Sequence, residues 1–180
     1  MANTFTKIAS VTVGSGGAAT IEFTSIPSTY TDLCILMSAR TLGAQGNGRA
    51  LCYQLNSSTS NYTEVNLYGD GSTTGSFSAT TLATQGSTYG RMGNTVLCNP
   101  TQTANTFSNI SIYIPNYTSS NYKSLSFDGV SETNATAVDT GLSALLWSNT
   151  SAITSIKFAA YSSYDFVQYT TAVLYGIKNS

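Results

Sequence analysis

The chain has no histidine and only three cysteines, Cys34, Cys52 and Cys98, among its 180 residues. Imidazole is the side chain whose ordinary pKa lies nearest neutral pH, so its absence removes the commonest general acid, general base and metal ligand. An odd number of cysteines closes no disulfide framework, and separations of 18 and 46 residues fit no zinc pattern. The thiols therefore read as small buried apolar groups. Charge is scarce too, with Asp, Glu, Lys and Arg at 8% of the chain and a net charge of -1. The seven basic residues run singly from Lys7 to Lys178. Phosphate backbones are met by clustered Lys and Arg, so no nucleic-acid partner is expected. No stretch nears the roughly 20 apolar residues of a membrane span, and no membrane partner is expected either. The opening MANTFTKIASVTV lacks a charged n-region and a long apolar h-region, which points to synthesis in a cytoplasm.

What the chain does have is hydroxyl groups: 26 Ser and 28 Thr. With so little charge, solubility rests on hydroxyls and amides, and the composition suits a surface partly covered by neighbours. Twelve Tyr and seven Phe supply enough large side chains for a core in one domain spanning residues 1–180.

The periodicity is two almost throughout, in short alternating segments separated by Gly, Asn, Ser and Pro clusters. Ala19, Ile21 and Phe23 alternate with Thr20, Glu22 and Thr24 after the GSGG turn at Gly14–Gly17. The run Leu33–Met37 is apolar on both faces, which predicts a central strand covered on both sides. Alternation continues over Arg49–Leu55, after glycines at Gly43, Gly46 and Gly48, and over Glu64–Tyr68, which ends at the turn Gly69–Ser72. Residues 73–93 read as a long excursion with one weak strand near Phe77–Leu82. Strands follow at Thr106–Ile114, Tyr122–Val130 and Val138–Trp147, and Ile153–Tyr161 with Phe166–Lys178 reads as a closing hairpin. These segments predict an all-β fold: a single antiparallel β-sandwich, jelly-roll-like, of about ten strands.

Candidate sites are few. Asp128, Glu132 and Asp139 lie close in sequence, and Asp70 sits in a turn. Paired acids can hydrolyse a glycoside or hold calcium, but no calcium-loop spacing occurs, so these read as solvated loop acids. No G-x-S-x-G elbow is present and no histidine could serve as its base. GSGG lacks the lysine of a phosphate loop. No catalytic, cofactor-binding or metal-binding residue is assigned, and the chain is not expected to be an enzyme. Six N-x-[ST] triplets, the first at Asn56, are close to what chance gives at this Ser and Thr content. The tyrosines in or beside polar loops, Tyr62, Tyr68, Tyr89, Tyr117 and Tyr122, are the candidate contacts for a subunit interface or a glycan, since aromatic rings anchor interfaces and stack on sugar faces.

Three segments carry a family likeness: the opening through Arg40 with its I-P-x-x-Y-T-D-L step at Ile26–Leu33, the stretch NISIYIPNYTSSNYKSLSFDGVSETNAT, and the ending with L-Y-G-I at Leu174–Ile177. Together they resemble small virion proteins of tailed bacteriophages, those of aquatic hosts in particular. The resemblance implies a structural role on the particle and supplies no site residues. It leads to a capsid decoration (cement) protein on the outer capsid surface. Such a protein would bind the major capsid protein, bridge neighbouring capsomers and form a homo-oligomer, with a trimer favoured. The alternative is a tail-fibre or receptor-binding tip that recognises host glycans through residues 56–62 and 73–91. A glycan depolymerase would need two acids converging in a groove.

Overall fold

The computed structural model describes residues 4–43, 49–93, 96–134 and 139–178. Gly46, Gly48 and Val138 of the sequence reading lie outside the described residues. Among the described residues the chain is all-β, with thirteen strands in two antiparallel sheets and no α-helix. In chain order the strands are β1 (Thr4–Thr12), β2 (Thr20–Phe23), β3 (Asp32–Ala39), β4 (Leu51–Leu55), β5 (Tyr62–Gly69), β6 (Thr74–Ala79) and β7 (Thr81–Thr84). They continue with β8 (Ser87–Met92), β9 (Ser108–Ile114), β10 (Lys123–Ser131), β11 (Asp139–Trp147), β12 (Ile156–Ala160) and β13 (Thr171–Lys178). The larger sheet runs β1-β13-β3-β9-β10-β11-β5-β6 and the smaller β2-β12-β4-β8-β7.

One apolar cluster joins the sheets, with Ile35, Ile110 and Phe127 from the larger and Ile21, Tyr53 and Phe158 from the smaller. This is a sandwich-like arrangement, each sheet burying alternate side chains against the other. β10 shows the period most plainly, every second residue from Lys123 to Ser131 being buried. Residue 176 is glycine because the ring of Tyr30 lies over it, and a Cβ there would sit 2.3 Å from Tyr30 Cγ.

Three expectations need correction. Residues 73–93 are not an excursion with one weak strand, because β6, β7 and β8 all form there. β6 and β7 are mostly small and hydroxylic and are held by pairing with β5 and β8, while β8 pairs with β4 and adds the buried Tyr89 and Met92. Ile153–Tyr161 and Phe166–Lys178 are not a hairpin. β12 pairs with β2 and β4 in the smaller sheet, whereas β13 pairs with β1 and β3 in the larger. The crossing between sheets begins in a short 3-10 turn at Tyr161–Ser163, and β13 starts only at Thr171. β3 is central, between β13 and β9, but Leu36 and Ser38 on its outer face are exposed, so the strand is not covered on both sides.

Candidate docking face

Strand register fixes which side chains share the outer face of the larger sheet. Across β3, β9, β10, β11 and β5 the central row is Leu36, Ser111, Asp128, Leu142 and Leu67. One flanking row is Cys34, Tyr113, Ser126, Ala144 and Val65, and the other is Ser38, Asn109, Val130, Thr140 and Gly69. β13 extends these rows with Tyr175, Val173 and Thr171, and β6 extends them with Ser78, Ser76 and Thr74. Leu36, Val65, Leu67, Tyr113, Val130 and Leu142 are all exposed, Val65 and Leu67 at 58% and 56%. Asp128 is the one charged side chain in the three rows from β13 to β6. Strand and row spacings of about 4.8 and 6.8 Å give this face roughly 30 by 20 Å, or about 600 Å². A groove lined by Val65, Leu67, Tyr113, Pro115 and Leu142 follows its Tyr113–Val65 row.

The opposite side of β5 explains why the apolar residues face outward. Glu64 and Asn66 point into the molecule and are 2% and 0% exposed. Glu64 Oε1 accepts hydrogen bonds from Gly93 N and from Ser143 Oγ, both at 2.9 Å, and Asn66 Nδ2 donates to Ser143 Oγ at 2.7 Å. Arg91 Nε lies 3.8 Å from Glu64 Oε2, and its guanidinium caps the Phe77 ring at 4.3 Å. Burial pushes the Glu64 carboxyl up, and the Ser143 and Gly93 hydrogen bonds and Arg91 pull it part of the way back.

Basic residues that looked like scattered surface charges are also turned inward. Arg40 Nη1 donates to Thr103 O and Thr106 O, and its Nη2 donates to Asn99 O, fastening the segment before β9. Lys123 Nζ donates to Ser119 O and Asn121 O. Arg49 pairs with Asp139. The surface is thereby left with even less charge than the composition suggests.

Of the five candidate tyrosines, Tyr62, Tyr89 and Tyr117 are core residues and not surface contacts. Tyr62 OH accepts from Leu55 N and donates to Ser58 O, and its ring stacks on Trp147. Tyr117 OH donates to Pro27 O. A phenol with one partner for its hydroxyl is well suited to the interior, so a position beside a polar loop does not make a tyrosine external. Tyr68 is half-buried against Phe77 and lies over Gly75, and Tyr122 stands exposed before β10.

The acids do not act as a group. Asp128 is on the docking face. Glu132 and Asp139 line one depression with Gly69, Ser72, Thr73 and Thr74, but Asp139 is buried, not solvated, and is held by Arg49. Asp70 accepts from Ser72 N and Thr73 N, which holds its carboxyl well below the usual range. Among the described residues no three Cys, Asp or Glu gather as a metal site would require, and no helix is long and apolar enough to cross a membrane. The Asn56 side chain is occupied, donating to Ala152 O and accepting from Thr154 N and Ser155 N.

The sequence alone did not show this exposed apolar face, because alternation shows that a strand has two faces without saying which is inside. The signal that could have found it is the pairing of Val65 and Leu67 with Glu64 and Asn66, read together with the charge-poor alternation of Ser124–Val130. Comparison of the chain with protein-family models, with curated proteins and with solved structures finds no match in any of the three.

Proposed function

We propose that this chain is a non-enzymatic docking protein, a decoration (cement) protein of a phage capsid that lies on the outer shell through the outer face of its larger sheet. The observation that carries the reading is the set of six exposed large apolar side chains in one register-aligned face. The face is mixed, with Ser, Thr or Asn at nine of its 21 positions, but exposed apolar patches of a few hundred Å² are often functional, and the whole face, about 600 Å², approaches the roughly 800 Å² that each partner contributes to a standard interface. The packed two-sheet core fixes the spacing across the face, as bridging two neighbouring capsomers requires. Many modest contacts formed at once would resist internal pressure by avidity. The sequence resemblance supplies the virion and the major capsid protein as partner. The free, uncharged edge strand β6 gives the oligomer, a trimer in this reading, a second surface for self-association.

Three of the five tyrosines offered as contacts for a subunit interface or a glycan are core residues, so Tyr68 and Tyr122 alone remain for either reading. The test is the copy number of the chain in purified particles, measured by gel densitometry against the most abundant shell protein. Near-stoichiometric amounts support decoration. A few copies per particle would transfer the chain to the tail, and absence from particles would end the virion reading.

A further inference from the structure

The single charge on the docking face selects its occupant; this inference rests on the docking reading above and names the chemistry that the face accepts. Asp128 stands mid-face on β10, with Ser111 opposite it on β9 and Leu142 opposite on β11. Its side chain is exposed, and among the described residues it takes part in none of the three ion pairs, which join Arg49 to Asp139, Arg91 to Glu64 and Lys157 to Glu22. Asp32 lies one row further out and is already held by Tyr113 OH at 2.6 Å and Asn116 N at 2.8 Å. Lys7 on β1 lies opposite Tyr175 and so faces the same way. It is four strand spacings from β10, about 19 Å, and the screening length at physiological salt is about 8 Å.

A neutral apolar surface laid over this face would strip water from the Asp128 carboxylate and return nothing for it. A second copy of the chain fits poorly for the same reason. Laid in register it sets Asp128 against Asp128. Slid until its Lys7 reaches Asp128, it uncovers β11, β5 and β6, and with them Leu142, Val65 and Leu67. We infer that the face takes a different protein surface of complementary shape, apolar apart from one Lys or Arg placed to reach Asp128. A guanidinium suits the position best, because it meets a carboxylate with two parallel hydrogen bonds. The pair sets register: apolar contacts are non-directional and tolerate sliding, whereas a covered carboxylate that misses its cation is penalised.

The test uses the full chain and two probes, with thermal midpoints confirming that every variant folds. On hexylamine-agarose, which offers an alkyl chain beside a cation, wild type is expected to elute at higher salt than Asp128→Asn. Glu132→Gln, which removes an equal charge just past the end of β10 and outside the three rows, should elute with wild type. On shells assembled from the major capsid protein, Asp128→Asn should bind on the order of tenfold more weakly and Asp128→Lys more weakly still. Equal shifts for Asp128→Asn and Glu132→Gln on the resin would mean that net charge alone is being read, and would overturn the inference. So would a concentration-dependent dimer that Leu142→Asp abolishes, since a second copy would then be the occupant. If wild type ignores the shells while the resin still separates the two variants, the virion reading fails and the chemistry assigned to the face stands.

Discussion

Arg49 and Asp139 meet at 2.5 Å in the interior, with side chains 8% and 7% exposed. The same guanidinium donates to Leu97 O at 2.8 Å and Ser131 Oγ at 3.0 Å, so one side chain joins the segment before β4, the segment before β9, the end of β10 and the start of β11. Asp139→Asn leaves that cation buried without its counter-charge, and should lower the unfolding free energy by about 3–5 kcal/mol, the usual cost of breaking a buried pair from one side. Urea denaturation measures it. A midpoint equal to wild type would mean that the pair adds nothing to the fold.

Glu64 makes stability depend on pH. Its carboxyl is raised above the ordinary 4.5 in the folded chain, so the folded state holds the proton more tightly than the unfolded state does. That contribution is complete below about 4.5 and is lost as pH rises through the raised folded value. Glu64→Gln should flatten the fall in thermal midpoint across that interval while keeping an oxygen for Gly93 N. An unchanged slope would assign the pH dependence to other groups.

The thiols should be silent in the folded protein. Cys34, Cys52 and Cys98 are free and buried, and burial pushes the Cys52 thiol up to about 12. Reaction with a thiol reagent at pH 8 should be absent until denaturant is added, when all three cysteines should label. Rapid labelling of Cys52 or Cys98 in the native chain would show that the interior opens readily, whereas labelling of Cys34 alone would mean only that the outer face of β3 is reachable.

The docking face can be altered without harming the fold. Leu67→Ser combined with Leu142→Ser changes two exposed side chains, and each should shift stability by no more than about 0.5 kcal/mol. Binding to shells should nonetheless fall sharply. Full binding by the double variant would remove this face from the interface.

Gly176→Ala should destabilise the chain by about 1–3 kcal/mol, because the new methyl meets the Tyr30 ring. With Tyr30→Ala in the background the penalty should shrink, as a double-mutant cycle would show. Additive losses would place the strain elsewhere.

Much of the strand pattern was legible locally. β9, β10 and β11 alternate apolar and polar residues with turn chemistry between them, and the sequence boundaries fall near those observed. Strands β6, β7 and β8 were not legible, because Ser, Thr and Gly give weak local preference and their pairing is decided by neighbours distant in sequence. The candidate tyrosines failed for a related reason. Loop proximity is a property of the chain, while burial of Tyr62, Tyr89 and Tyr117 depends on what packs over them.

The sequence by itself determined an all-β chain of period two, poor in charge and without imidazole, since backbone preference and side-chain chemistry are local properties. Tertiary structure alone decided which face of β5 is inside. β5 carries Glu64 and Asn66 on one face and Val65 and Leu67 on the other, and hydropathy would bury the second pair. The fold buries the first, because Ser143, Gly93 and Arg91 gather to meet the polar groups there. That inversion leaves an apolar sheet face, centred on Asp128, open to a partner.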